Sequence, residues 1–320
     1  MNRTARQHFV PAFYLSQWAV PEERTGKLKV FDRTNGKSWQ TTPDGVAFVR
    51  DFYTLDIREA PQAAEDALAK LESIGADAIR DLVANNLLPN DDSMRPLLAF
   101  VAIQATRTLR VRENIDRFYS DTHMLLLGTL VDEPTAFAAH ARTVEPGISD
   151  EDIVKLREQS RALLEKPGTR VCMDQTTLIN DTLKMAAEIE DLLCLRQWQL
   201  CISPIETSFI TSDDPVALDF ERGVEPSFLN SPGFGRKDTV VSFVLGPRHL
   251  IIGRAPVPAR RVREFDTQEV AGYNTRAAWN AARFFYFRTS GFEFTGPTGD
   301  VVAGPNELLR LPEIADHSDD

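Results

Sequence analysis

An α+β fold, a mostly antiparallel sheet with a helical middle region packed against it, is what the order of patterns along this chain predicts. Strand-like alternation fills residues 1–57, a 3.6-residue apolar rhythm runs over 62–195, and strand patterns return over 197–290. These boundaries predict one domain over 1–305. A flexible acidic tail, 306–320, follows and ends in Asp316-His-Ser-Asp-Asp320.

Each element has a local reason. Gln7-His8-Phe9-Val10-Pro11 reads as extended, because Pro11 pushes Val10 out of the helical region. Pro11 can then open a short helix through Trp18. Lys27 to Arg33 alternates like a half-buried strand, Asn35-Gly36 is a hairpin-turn signal, and the second arm runs through Trp39. Val46 to Leu55 predicts a further strand. In the middle region, Gln62 to Leu88 sets Leu68, Leu71, Ala78, Ile79, Leu82 and Val83 at helical spacing. Arg95 to about Leu130 predicts a second long helix or a helix pair, opened by Pro96. Ser149 and Asp152 resemble a capping box for a helix ending at Pro167-Gly168, and Asp174 caps another to about Leu195. Strands then follow at Gln197 to Ile202, Ser208 to Thr211, Val240 to Leu245 and His249 to Gly253. The last two are joined through Gly246-Pro247-Arg248. Thr267 to Ala282 predicts a helix and Phe284 to Arg288 a closing strand. Glu221 to Lys237, rich in Gly, Pro and Ser, predicts a mobile loop placed to act as a lid.

Composition narrows the function classes. With 42% hydrophobic and 26% charged residues the chain has the make-up of an ordinary globule. A net charge of −11 argues against broad non-specific binding to nucleic acid, since phosphate contacts need positive charge. Three cysteines without C-x-x-C spacing predict reduced core thiols and a cytoplasmic protein. The basic N-terminus lacks the apolar stretch of a signal peptide, and no apolar run reaches the roughly 20 residues of a membrane helix. Partners, oligomeric state and substrate have no signature.

Candidate site residues come from polar side chains in apolar positions. At about 100° per residue, Glu72 falls within the stripe of Leu68 and Ile79. Gln104 and Arg107 share a face with Phe100, Ile103 and Val111. Buried charges need partners, so Glu72 and Arg107 are expected to pair, directly or through Gln104. Ser212-Asp213-Asp214-Pro215 ends a strand in two carboxylates; Asp214 suits the turn itself, whereas Asp213 is the candidate for chemistry. His8 is the candidate base, and Tyr14 and Tyr53 are expected core residues. Carboxylates such as Glu72 and Asp213 are the ligand type that Mg²⁺ takes, though no motif supports a metal. Dinucleotide, P-loop, zincin and nucleophile-elbow motifs are absent. Arg107, Arg110, Arg112 and Arg117, and Arg254, Arg260, Arg261 and Arg263, form two basic runs. Either suits phosphate, and either is equally suited to a solvated face.

Taken together, His8-x-x-Pro11-x-x-Tyr14-Leu15, Phe31-Asp32-Arg33, Asp51-Phe52-Tyr53-Thr54, Glu72, Gln104-x-x-Arg107-Thr108, Phe209-Ile-Thr-Ser-Asp-Asp-Pro-Val216, Asn274 and Ala282-Arg-Phe284 resemble the DUF4238 family. The resemblance covers roughly residues 7–288. Leu109 stands where a Pro often follows Arg-Thr, and Asp214 where Asn is common. The family's function is unknown, so the resemblance implies no reaction; it implies only that these polar residues recur together.

Two functions are expected from these residues. One is a hydrolase acting on a phosphate-containing substrate such as nucleic acid or a nucleotide. In it His8 and Asp213 do acid–base or metal-binding work, Arg107 neutralises substrate charge, and Gln104 and Glu72 position it. The alternative is a non-catalytic binding or accessory protein in which the same cluster is structural. Convergence of the five side chains around an open pocket would favour the first. Buried pairs without a cavity would favour the second.

Overall fold

Apolar residues at alternate and 3.6-residue spacings do build an α+β fold with mainly antiparallel sheets and a helical middle region. The computed structural model describes all residues except 1–5, 56–60, 222–223, 225–226, 228–229, 256–260, 289, 306 and 309–320, and at 91–92 only the backbone. Contacts divide the chain into two compact units, Met1–Arg110 with Ile179–Asp320, and Val111–Leu178.

The larger unit begins with β1 (Arg6–His8), and Pro11 then starts α1 (Ala12–Leu15), which continues as a 3₁₀ turn to Trp18. The hairpin β2 (Leu28–Asp32) and β3 (Lys37–Thr41) turns through Gly36 at φ 68°, a left-handed value that glycine adopts freely. The strand expected over Val46 to Leu55 shrinks to β4 (Phe48–Arg50), which pairs with β1. Ala47 and Asp51 flank it, each at φ 54°, and neither can continue an extended strand. Next come α2 (Ala63–Asn85), closed by Asn86 at φ 49°, and α3 (Asp91–Thr106). The latter starts earlier than Pro96 suggests, because the Asn90 side chain accepts from the backbone N–H of Ser93 and caps the helix there.

The smaller unit holds most of α4 (Leu109–Asp132), α5 (Pro134–Val144), α6 (Asp150–Leu164) and the first turn of α7 (Gln175–Cys194). Helix α5 was not among the expected elements; Pro134 opens it at its first position. Ser149 caps α6 by accepting from Asp152 N–H, and Asp174 caps α7 through Thr177 N–H. Val131, Phe137, Ala141 and Ile153 form this unit's own small core.

Back in the larger unit, β5 (Gln197–Ile202), β6 (Thr211–Ser212), β7 (Val216–Phe220), β8 (Thr239–Gly246), β9 (His249–Arg254) and β10 (Val262–Glu264) precede α8 (Thr267–Asn280). Strands β11 (Phe284–Phe287), β12 (Glu293–Thr295) and β13 (Val301–Ala303) end the described chain. The strands are shared among four sheets rather than one: five strands in the order β10-β5-β9-β8-β7, four in the order β3-β2-β11-β6, and the pairs β1-β4 and β12-β13. Among the described residues, only β10 with β5 is parallel. Ser208 to Ile210 is not a strand, because its backbone groups bond to side chains and a loop. Ile210 N–H goes to Asn274, Phe209 C=O accepts from Trp18 Nε1, and Phe209 N–H reaches Pro247 C=O. Of the expected lid, Glu221 to Lys237, six residues lie outside the described ones, as does the tail apart from Glu307 and Leu308; Leu308 is buried.

Tyr14 and Tyr53 are core residues, and the Tyr14 hydroxyl donates to Val244 C=O at 2.7 Å. The cysteines depart from expectation: Cys201 is buried, but Cys172, in the connection before α7, and Cys194, at its last residue, are exposed. No described helix is long and apolar enough to cross a membrane.

Helices α2 and α3 meet at Gly75, where an added Cβ would lie 2.6 Å from a ring carbon of the fully buried Phe100. Gly75→Ala is therefore expected to destabilise the chain by about 1–3 kcal/mol through overpacking, even though alanine favours a helix by about 1 kcal/mol. Urea unfolding measures this; an unchanged midpoint would mean that the helices do not approach so closely.

Candidate functional site

The five predicted residues fall into two clusters. In the first, Glu72 on α2 and Arg107 at the end of α3 form the pair that helix phase predicts, with Arg107 Nη1 donating to Glu72 Oε1 at 2.7 Å. Gln104, one turn earlier on α3, turns its side-chain carbonyl to the guanidinium and accepts from Nε and Nη2 at 2.7 and 2.8 Å. Arg107 is fully enclosed, while 27% of the Glu72 side chain meets solvent, so the pair has one wet end. His8, half-buried beside Phe48, feels the charges of Asp44, Arg24, Glu72 and Arg107. Burial holds its pKa below the ordinary value, and its Nε2 is buried with no hydrogen-bond partner. Glu65, two helical turns before Glu72, joins this group; burial and then the Glu72 charge push its pKa up.

Asp213 belongs to the second cluster. Residues 282–284, where α8 gives way to β11, present three backbone N–H groups to it. Ala282 donates to Oδ1 at 2.9 Å, and Arg283 and Phe284 donate to Oδ2 at 2.8 and 2.9 Å. Asp213 N–H in turn reaches Phe284 C=O, which extends the β6–β11 ladder by one residue. Asp214 pairs with Arg110, three residues beyond Arg107, and Arg110 also donates to Asn280 Oδ1 at 3.1 Å. Asn280 Nδ2 closes the ring by donating to the carbonyls of Asp214 and Val216. Ser212 Oγ bonds Asp214 C=O and N–H, the turn chemistry expected of that stretch.

Two residues that the sequence reading used only as motif markers complete this cluster. Arg33 Nη1 donates to the carbonyls of Ala278, Trp279 and Ala281 and so satisfies the end of α8. Arg283 clasps Asp32 Oδ2 through Nε and Nη2 at 3.0 and 2.7 Å. Burial alone would raise the Asp32 pKa, but the bonds from Arg283 and Thr34 hold it below its ordinary value. Nothing in the sequence pairs Asp32 with Arg283, 251 residues away; a charge at each end of neighbouring strands was the one available hint.

Desolvation sets the electrostatics at the acidic turn. It pushes the Asp213 carboxyl up to about 6 despite the three N–H bonds, and Asp214 up to about 7 despite Arg110. Three of the clefts among the described residues are lined by none of the five predicted residues. One, of about 660 Å³, opens over the five-stranded sheet; another, of about 450 Å³, lies along α2 and α3; the third, of about 330 Å³, belongs to the smaller unit. Among the described residues no three His, Cys, Asp or Glu side chains come together to hold a metal ion. Both Asp213 oxygens accept from backbone N–H donors, and the residue is buried.

A model of a family described as a protein of unknown function (DUF4238) matches residues 6–291. No curated protein matches the chain, and no solved structure does.

Two outcomes follow for the acidic turn. Asp213→Asn aims an NH₂ group at backbone donors and is expected to cost about 1–3 kcal/mol in chemical denaturation; no loss would mean that those bonds do not hold the turn. Asp214→Asn mimics the protonated acid. Because the folded pKa of about 7 lies above the ordinary 3.8, the folded chain keeps a proton that the unfolded chain has lost. Stability from this group is full below pH 4 and declines as the pH rises towards 7. The thermal midpoint of Asp214→Asn should therefore gain on that of the wild type between pH 4 and 8, and a constant difference would contradict the shift.

Proposed function

The chain belongs to the DUF4238 family, and from the geometry of its shared polar residues we propose that it is a non-catalytic binding or accessory protein in which those residues are the internal frame. The observation that carries this reading is the buried Asp213 carboxylate, both oxygens of which accept from backbone N–H groups. The Glu72–Arg107–Gln104 set supports it in the same way, since the buried Arg107 guanidinium donates to both Glu72 and Gln104. A cytoplasmic location fits the composition and belongs to the same proposal.

One observation favours a second reading, a hydrolase for a phosphate-containing substrate. His8 Nε2 has no hydrogen-bond partner, burial keeps the ring neutral at physiological pH, and Glu65 and Glu72 stand near the same arginine. A neutral imidazole with a free nitrogen is what a general base requires.

Assay of p-nitrophenyl phosphate and bis(p-nitrophenyl) phosphate, with and without Mg²⁺, separates the two. The framework reading expects no turnover by the wild type, and a lowered unfolding midpoint for Glu72→Ala of about 2–3 kcal/mol because Arg107 is left buried without its carboxylate. Turnover that His8→Ala abolishes while its unfolding midpoint stays that of the wild type would replace this reading with the hydrolase.

A further inference from the structure

The cleft of about 660 Å³ over the five-stranded sheet, walled on its other side by α8, holds the polar groups that the internal frame does not use. Three arginines reach it from three elements: Arg254 from β9, Arg263 from β10 and Arg276 from α8. Its lining sets three guanidiniums against two carboxylates, Glu221 and Glu269, while a third acid, Asp219, pairs with Arg276 from outside the lining. We propose that this cleft binds a small organic molecule bearing a multiply charged oxyanion, a phosphate monoester or a polycarboxylate.

The arginines are held ready for such a ligand. Arg276 lies over the Tyr273 ring at 4.8 Å, and Arg263 over Phe265 at 5.1 Å, so stacking fixes both planes. Arg276 pairs with Asp219 at 3.0 Å, Arg263 contacts Glu269, and Arg254 Nε has Glu221 at 3.4 Å. These pairs leave donors over. A guanidinium carries five N–H groups, and the acids are partly solvated and hold their arginines weakly. Planar forks of this kind match phosphate and carboxylate oxygens two at a time. Gln199 on the sheet and Gln268 on α8 add uncharged polar groups, and the volume is that of a site for a nucleotide-sized molecule. The inference rests on the reading of the chain as a binding protein, but none of its residues belongs to the Asp213 or Arg107 clusters.

The test is calorimetric titration of the full chain with inorganic phosphate, AMP and citrate. The expected result is saturable binding of at least one of them, weakened about tenfold or more in Arg254→Gln and in Arg276→Gln. Binding should be unchanged in Arg80→Gln, a surface control on α2. Preference for AMP identifies a phosphate monoester, and preference for citrate a polycarboxylate. The ligand that binds should also raise the wild-type melting temperature where chloride at equal ionic strength does not, which keeps the test independent of how the variants fold. No binding of any of the three at millimolar concentration would overturn the proposal, as would equal binding by both cleft variants or equal weakening in the control. Such a failure leaves the framework reading untouched, because that reading stands or falls on stability and turnover.

Discussion

Three backbone N–H groups converge on the Asp213 carboxylate, and the architecture of the larger unit depends on that contact. Where α8 ends, the chain must turn and enter β11 in register with β6 and β2. The N–H groups of residues 282–284 are satisfied there by the buried Asp213 side chain, each bond to a charged group being worth about 1.5–3 kcal/mol. A carboxylate is the acceptor that can take all three, and its own desolvation is the opposing term. The balance is close: burial still pushes the carboxyl up to about 6.

Around that contact, polar side chains end the neighbouring elements. Arg33 takes the last carbonyls of α8, Asp32 and Arg283 tie the end of β2 to the start of β11, and Asn280 joins the helix to the acidic turn. Farther up the helix, Asn274 accepts from Ile210 N–H and donates to the carbonyls of Ser208 and Glu293. Helix α8 is thereby fastened along its length on one side, and its other side is left to wall the cleft. The motif residues Phe31-Asp32-Arg33, Ser212-Asp213-Asp214-Pro215, Asn274 and Ala282-Arg-Phe284 coincide with these joints.

Much of this was legible in the sequence, for particular reasons. The hairpin at Gly36, the caps at Ser149 and Asp174 and the strands β5, β8 and β9 rest on local chemistry, and local chemistry survives folding. The Glu72–Arg107 pair was legible because helix phase is a rigid ruler. Three features were not. Strand β10 is three residues long and pairs in parallel with β5, from which it is separated by some sixty residues. The left-handed backbone at Ala47 and Asp51 shortens a strand whose composition looks continuous. Asp213 meets residues 282–284 rather than His8, and no spacing rule reports a carboxylate's choice between a side chain and a distant backbone turn. Arg254 and Arg263 were visible as a basic run, but Arg276 and the cleft they share came only with the fold.

The most direct measurement of the central claim is native-state hydrogen exchange at the amides of Ala282, Arg283 and Phe284. If Asp213 fastens the turn, these three amides exchange slowly in the wild type and become fast together in Asp213→Asn, while amides of the β8–β9 hairpin keep their protection. Fast exchange at all three in the wild type, or protection that the substitution leaves intact, would contradict the account.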